Sequence, residues 1–211
     1  MSEPIHHAPD AMLASFASGS LPYPFAILVA AHVSVCDECR ARFGAHVLIG
    51  GIVLEQLPVA AVSGTARDRT FAALDETPVP LSHHQPFDIY PTALAQLLGG
   101  APPRWQPLGF GTKQAILWRG GEGSVRLLSI PAGQAVADHG HRGLELTLVL
   151  SGSFSDDRGS FHAGDLEVAD ETVVHVPAAG DGLPCICAAA TDAPLRFQSL
   201  LPRLIQPLLR I

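Results

Sequence analysis

Two short runs, far apart in the chain, constrain its fold more than anything else: His32-Val-Ser-Val-Cys36-Asp-Glu-Cys39 and His139-Gly-His141-Arg-Gly-Leu-Glu145. In the first, two cysteines separated by two residues can grip one ion while the helix they begin is still turning. In the second, positions 139, 141 and 145 share one parity, so on a strand three ligating groups point to one face. Soft thiolates at a helix start and imidazoles with a carboxylate on a strand are different chemistries on different scaffolds. Two domains are therefore expected, and 211 residues accommodate them at about 100 to 150 residues per domain.

The texture of the chain agrees. Met12, Leu13 and Phe16 recur at one-turn spacing after Asp10, a candidate N-cap, and Gly19 ends that helix. A second helix is predicted from Pro24 to about Val33, a third from Cys36 through Val53, and a fourth over Ala66 to Asp75. Six prolines (Pro78, Pro80, Pro86, Pro91, Pro102 and Pro103) then mark residues 81–104 as a linker with one embedded turn, Thr92 to Leu98. After Trp105 come short apolar or alternating runs, Gln114 to Trp118, Val125 to Ile130, Leu144 to Leu150 and Cys185 to Ala190, spaced as in a sandwich or barrel. The predicted class is α+β, an all-α region over 1–80 followed by an all-β region over 105–211.

Hydrophobic residues make up 47% and charged residues 16%, enough apolar material for a core in each part. A net charge of −7, with 13 scattered Lys and Arg, argues against direct nucleic-acid binding, which needs clustered cations to neutralise phosphates. The start, Met-Ser-Glu-Pro-Ile-His-His, has neither the basic residues nor the apolar run of a secretory signal. The most apolar stretch, Phe25 to Val35, is half of what a membrane span needs, about 20 residues. A cytoplasmic protein without membrane contact is expected, and in that compartment four cysteines point to metal or redox chemistry and not to structural disulfides.

At the first run, Cys36 and Cys39 sit where a helix dipole favours thiolates, and His32 falls at the end of the preceding helix. A tetrahedral zinc site needs a fourth ligand, and His7, just ahead of the first helix, is chosen over its neighbour His6. A redox pair is the alternative reading of Cys-x-x-Cys. His32-x3-Cys36-x2-Cys39 in a small helical domain resembles the zinc-binding anti-sigma domain of bacteria. That resemblance implies a structural zinc, completed by an upstream histidine matching His7, and helices that wrap a sigma factor of the extracytoplasmic-function type.

The second run, extended as Gly133-x5-His139-x-His141-x3-Glu145-x6-Gly152, resembles the first cupin motif, which implies a double-stranded β-helix barrel. The second cupin motif is less regular: His162-Ala-Gly164-Asp165 supplies its turn, and His175 is preferred to His162 as fourth ligand. Three imidazoles and a carboxylate suit zinc, iron, nickel or manganese. Cys185 and Cys187, a same-face strand pair, read as small core residues, with an oxidisable thiol pair as the alternative. Arg119 and Arg142 are candidates to line the barrel pocket, and His83 and His84 fall in the linker.

The combination, with Cys36-Asp-Glu-Cys-Arg-Ala-Arg, the run from Asp138 to Leu150 and Ala190-Thr-Asp-Ala-Pro-Leu-Arg-Phe, resembles the ChrR-type anti-sigma factors over nearly the whole chain. The resemblance implies a regulator that sequesters its sigma factor as a 1:1 heterodimer, with the cupin domain needed for release by singlet oxygen or related oxidants. The competing expectation is a cupin metalloenzyme, a dioxygenase or isomerase, with an N-terminal zinc interaction module.

Overall fold

The computed structural model describes residues 3–75, 86–136 and 143–193, and the backbone of 139–140 and 196–197. Five helices precede the strands among these residues: α1 (Asp10–Ala17), α2 (Tyr23–Val35), α3 (Asp37–Glu55), α4 (Ala66–Leu74) and α5 (Thr92–Leu98). Proline stands immediately before three of them, as Pro9, Pro22 and Pro91, where its fixed φ suits the extended residue that leads into a helix. Asp10 is thus the first helical residue of α1 and not its cap. Its carboxylate instead accepts from Nη2 (2.7 Å) and Nε (3.0 Å) of Arg42, tying α1 to α3.

Twelve strands follow among the described residues: β1 (Gln106–Gly109), β2 (Thr112–Gly120), β3 (Gly123–Ile130), β4 (His139–Gly140), β5 (Glu145–Ser151), β6 (Ser153–Asp156), β7 (Gly159–His162), β8 (Leu166–Ala169), β9 (Val174–His175), β10 (Ala178–Ala179), β11 (Cys185–Thr191) and β12 (Arg196–Phe197). They form a six-stranded antiparallel sheet in the order β1-β2-β3-β11-β5-β8 and two three-stranded sheets, β10-β6-β7 and β12-β4-β9. Period-two alternation sorts the side chains of the large sheet. Leu146, Leu148 and Leu150 join Val125, Leu127, Ala188 and Ala190 on the outer face, packed with Leu13, Leu28 and Leu94 of the helices. Val149, Ile130 and Cys185 lie on the inner face, against Phe154, Phe161 and Ala179 of the small sheet that closes the barrel.

One core therefore runs through both halves. Helix α2 is apolar on nearly every side, as a helix must be when other elements surround it, and it touches α1, α3, α5, β3, β5 and β11. The small side chains of Ala188 and Ala190 let it approach β11 closely. The segment read as a linker with one embedded turn contributes to this core through Tyr90, Leu94 and Ala95, all buried, because α5 docks on α2 and β2. His83 and His84 lie outside the described residues. Beyond Val47 the situation reverses: α3 and α4 leave the core and expose large apolar side chains.

Candidate metal centres

His7, His32, Cys36 and Cys39 converge as the spacing predicts, with one ligand atom from each lying within 4.8 Å of all the others. Cys36 is the residue at which α2 ends and α3 begins, and its Sγ accepts from the backbone N–H of Cys39 at 3.4 Å. His32, in the last turn of α2, and both cysteines are fully buried. His7 arrives from the N-terminal segment, with its Nδ1 3.3 Å from Cys36 Sγ.

Each histidine is oriented by a partner behind it. A carbonyl can only accept, so the 2.9 Å contact to Gly164 O places the proton of His32 on Nδ1 and leaves Nε2 as the lone pair. That Nε2 is buried with no hydrogen-bond partner, facing the thiols. On His7 the roles are exchanged: Nε2 lies 3.2 Å from the Glu38 carboxylate, so Nδ1 is free to bind. Burial pushes His32 down to about 4 and the Cys39 thiol up to about 11. Ligands of a tetrahedral zinc stand roughly 3.4–3.8 Å apart, so no pair of the four atoms, all within 4.8 Å of one another, has to close by more than about 1.4 Å to take one. The orphaned Nε2 of His32 is the clearest sign that the site fits an ion.

The neighbouring residue, His6, does something else. Its ring lies 4.3 Å from that of Phe161, its Nε2 3.1 Å from Ser160 O, and its backbone pairs with the barrel. Glu38, Gly164 and Asp165 were not picked out by sequence as parts of this centre. Glu38 is the third residue of Cys-Asp-Glu-Cys, close enough in sequence to have been suspected; Gly164 is 132 residues from His32 and was not.

In the barrel, His139 and His175 sit opposite each other in the β4–β9 ladder. His141, Arg142 and the side chain of His139 lie outside the described residues. His175 is buried, whereas His162 is exposed and uses its backbone N–H to cap Asp165 Oδ2 at 2.8 Å. His175 meets two carboxylates that sequence reasoning passed over: Nδ1 is 2.7 Å from Asp156 Oδ2 and 3.5 Å from Glu167 Oε1. Arg158 ion-pairs with both, through Nε to Asp156 at 3.4 Å and Nη2 to Glu167. Burial acts to raise the Asp156 carboxyl, but the His175 hydrogen bond and Arg158 override it and hold it below the usual range.

Glu145 opens β5. It accepts from Thr147 Oγ1 at 3.3 Å and lines a cavity of about 240 Å³ with Arg119, Ser124, Arg126, Leu128 and Ile130. Arg126 is buried there, bonded to Gln114 Oε1 (3.2 Å) and Ser124 Oγ (3.0 Å), and burial lowers its pKa. Cys185 and Cys187 are both buried, as expected of small core residues.

The model of the ChrR cupin-like domain matches residues 101–193. The anti-sigma-E factor ChrR of Cereibacter sphaeroides is 50% identical over 211 residues, which cover 98% of each chain. This chain belongs to the ChrR family. Among solved structures, the crystal structure of Rhodobacter sphaeroides SigE in complex with the anti-sigma ChrR matches with 48% identity and a TM-score of 0.79, over 89% of this chain and 98% of that one. ChrR kinship thus spans the helical half and the barrel together, and it joins the chain to a regulatory protein, not to an enzyme. No helix among the described residues is long and apolar enough to cross a membrane.

Proposed function

We propose that this chain is a cytoplasmic anti-sigma factor that sequesters an extracytoplasmic-function sigma factor as a 1:1 heterodimer. Residues 1–80 make the inhibitory contact, and residues 105–211, joined through 81–104, permit release in response to singlet oxygen or related oxidants. The observation that carries the reading is the bare apolar surface beyond Val47. Leu48 is 71% exposed, Ile52 56%, Leu54 68%, Phe71 59% and Leu74 74%, and α4 buries none of its residues. A surface of this kind marks an interaction site, and helices that carry one outside the core have the form of an arm made to lie against another protein. The ChrR relative solved with SigE gives the class of partner.

Zinc at His7, His32, Cys36 and Cys39 supplies a closed tetrahedral cross-link with no position for chemistry, fixing the corner from which α3 projects. A second divalent ion, zinc, iron, nickel or manganese, is proposed in the barrel at His139, His141, Glu145 and His175. Asp156 behind His175 supports that reading, since a metal-binding imidazole commonly donates its other N–H to a carboxylate. Co-expression with an extracytoplasmic-function sigma factor from the same genome, followed by co-purification and metal analysis, tests the proposal. One sigma factor per chain with zinc bound is expected; a chain that elutes alone while the sigma factor stays active would overturn it.

A further inference from the structure

The first metal centre is completed by the barrel. The turn between β7 and β8 reaches the N-terminal segment at three points. Gly164 O accepts from His32 Nδ1 (2.9 Å), Asp165 Oδ1 accepts from the backbone N–H groups of Ile5 (2.7 Å) and His6 (3.0 Å), and Leu166 N–H donates to His6 O (3.1 Å). Asp165 is buried, and its second oxygen is taken by His162 N–H at 2.8 Å. This carboxylate therefore holds in one place the barrel turn and the segment that carries His7. The turn fits closely: Gly164 has φ +99°, and a Cβ there would lie 2.9 Å from Cγ of Pro4.

We propose that Gly164 and Asp165 form the outer shell of the His7–His32–Cys36–Cys39 centre, so that the barrel sets how tightly the N-terminal region holds its ion. The proposal rests on the metal reading given above. Asp165 is a positioning residue, acting through the backbone of residues 5 and 6 on His7. Gly164 acts through Nδ1 on His32, fixing the tautomer whose Nε2 faces the thiols. Two residues beyond Asp165 stands Glu167, 3.5 Å from His175, so a change around His175 is only Glu167–Leu166–Asp165 away from the N-terminal centre. The two centres share a strand end.

Cobalt(II) distinguishes the centres through its thiolate charge-transfer absorption, which belongs to the Cys36–Cys39 site when it is lost in Cys36→Ser and kept in Cys185→Ser and Cys187→Ser, while the proposed barrel ligands are imidazoles and a carboxylate. Full-length protein is titrated with cobalt(II), following that band. Outer-shell partners are worth about 10–100-fold in metal affinity, so Asp165→Ala is expected to weaken cobalt binding about tenfold or more. Asp165→Asn, which keeps an acceptor toward Ile5 and His6, is expected to restore most of it. Ile5→Pro removes the 2.7 Å donor from the N-terminal side without altering the barrel, and it is expected to weaken binding in the same direction even if Asp165→Ala fails to fold. Unchanged affinity in folded Asp165→Ala, or in Ile5→Pro, overturns the outer-shell role and leaves the metal reading intact. Absence of the band in the wild type overturns both.

Discussion

The Nδ1 atom of His175 lies 2.7 Å from Oδ2 of Asp156, with the Asp156 side chain wholly withdrawn from solvent. A carboxylate so placed holds the imidazole in one tautomer and orientation, leaving Nε2 for an ion. Asp156→Asn is expected to weaken metal binding in the barrel about 10–100-fold while sparing the cysteine site. Counting bound metal ions of every kind per chain after dialysis against a graded chelator checks this: loss should fall on one ion of two.

Cys36→Ser or Cys39→Ser removes a thiolate from the proposed closed four-ligand site at the α2–α3 corner. Sigma inhibition is expected to be abolished along with zinc at that site, because the binding energy of a structural ion is part of the folding energy of the corner. Zinc content and transcription from a sigma-dependent promoter are the readouts. Normal inhibition with zinc absent would show that the ion is not structural.

Charges placed on the projecting surface separate binding from folding. Leu48→Asp and Ile52→Asp alter side chains that are 71% and 56% exposed, so each should change stability by less than about 0.5 kcal/mol. Each should nevertheless cost the complex roughly 1.5–3 kcal/mol, a tenfold to hundredfold loss of sigma affinity, by removing an apolar group from the interface. Thermal melting of the free chain and a binding titration together check it.

His141→Ala or Glu145→Ala removes a proposed barrel ligand. Inhibition is expected to persist, and release after illumination with a photosensitiser is expected to weaken. Undiminished release in variants shown to lack the barrel ion would remove that ion from the sensing step.

Leu28→Ala cuts into the core shared by helices and sheet, where Leu28 is fully buried. A loss of about 2–5 kcal/mol is expected, and because the core is continuous the protein should melt in one transition, not two. A fragment ending near Asp75 loses the cover over α2 and the Gly164 carbonyl. It is expected to keep its sigma-binding surface but to hold zinc less tightly than the full chain.

Local spacing explains what could be read in advance. His32, Cys36 and Cys39 lie within eight residues around one helix junction, so their convergence follows from helix geometry alone. The alternation from Leu144 to Leu150 shows its strand for the same reason. Asp156, Glu167 and His175 meet only because the β6–β7 hairpin and β8 fold back together, and no short-range spacing announces that. In the Pro-rich segment, proline density signals the absence of long regular structure, not of packing: Pro91 stands immediately before α5, and Leu94 is fully buried. Asp10 looked like a cap because caps are recognised by residue type, whereas Pro9 takes that position and Arg42 takes the carboxylate.

Residues 6 and 7 are adjacent histidines serving two different bodies, His6 clasped by the barrel and His7 turned toward the cysteines. A protease cut just before Ala8 would therefore remove a proposed ligand and a tether in a single event, and a replacement peptide supplied in trans would have to satisfy both at once. For anyone preparing this protein, Pro4 to His7 belong to its working parts: a tag removed too generously at that end would yield a chain of nearly full mass with that clasp undone.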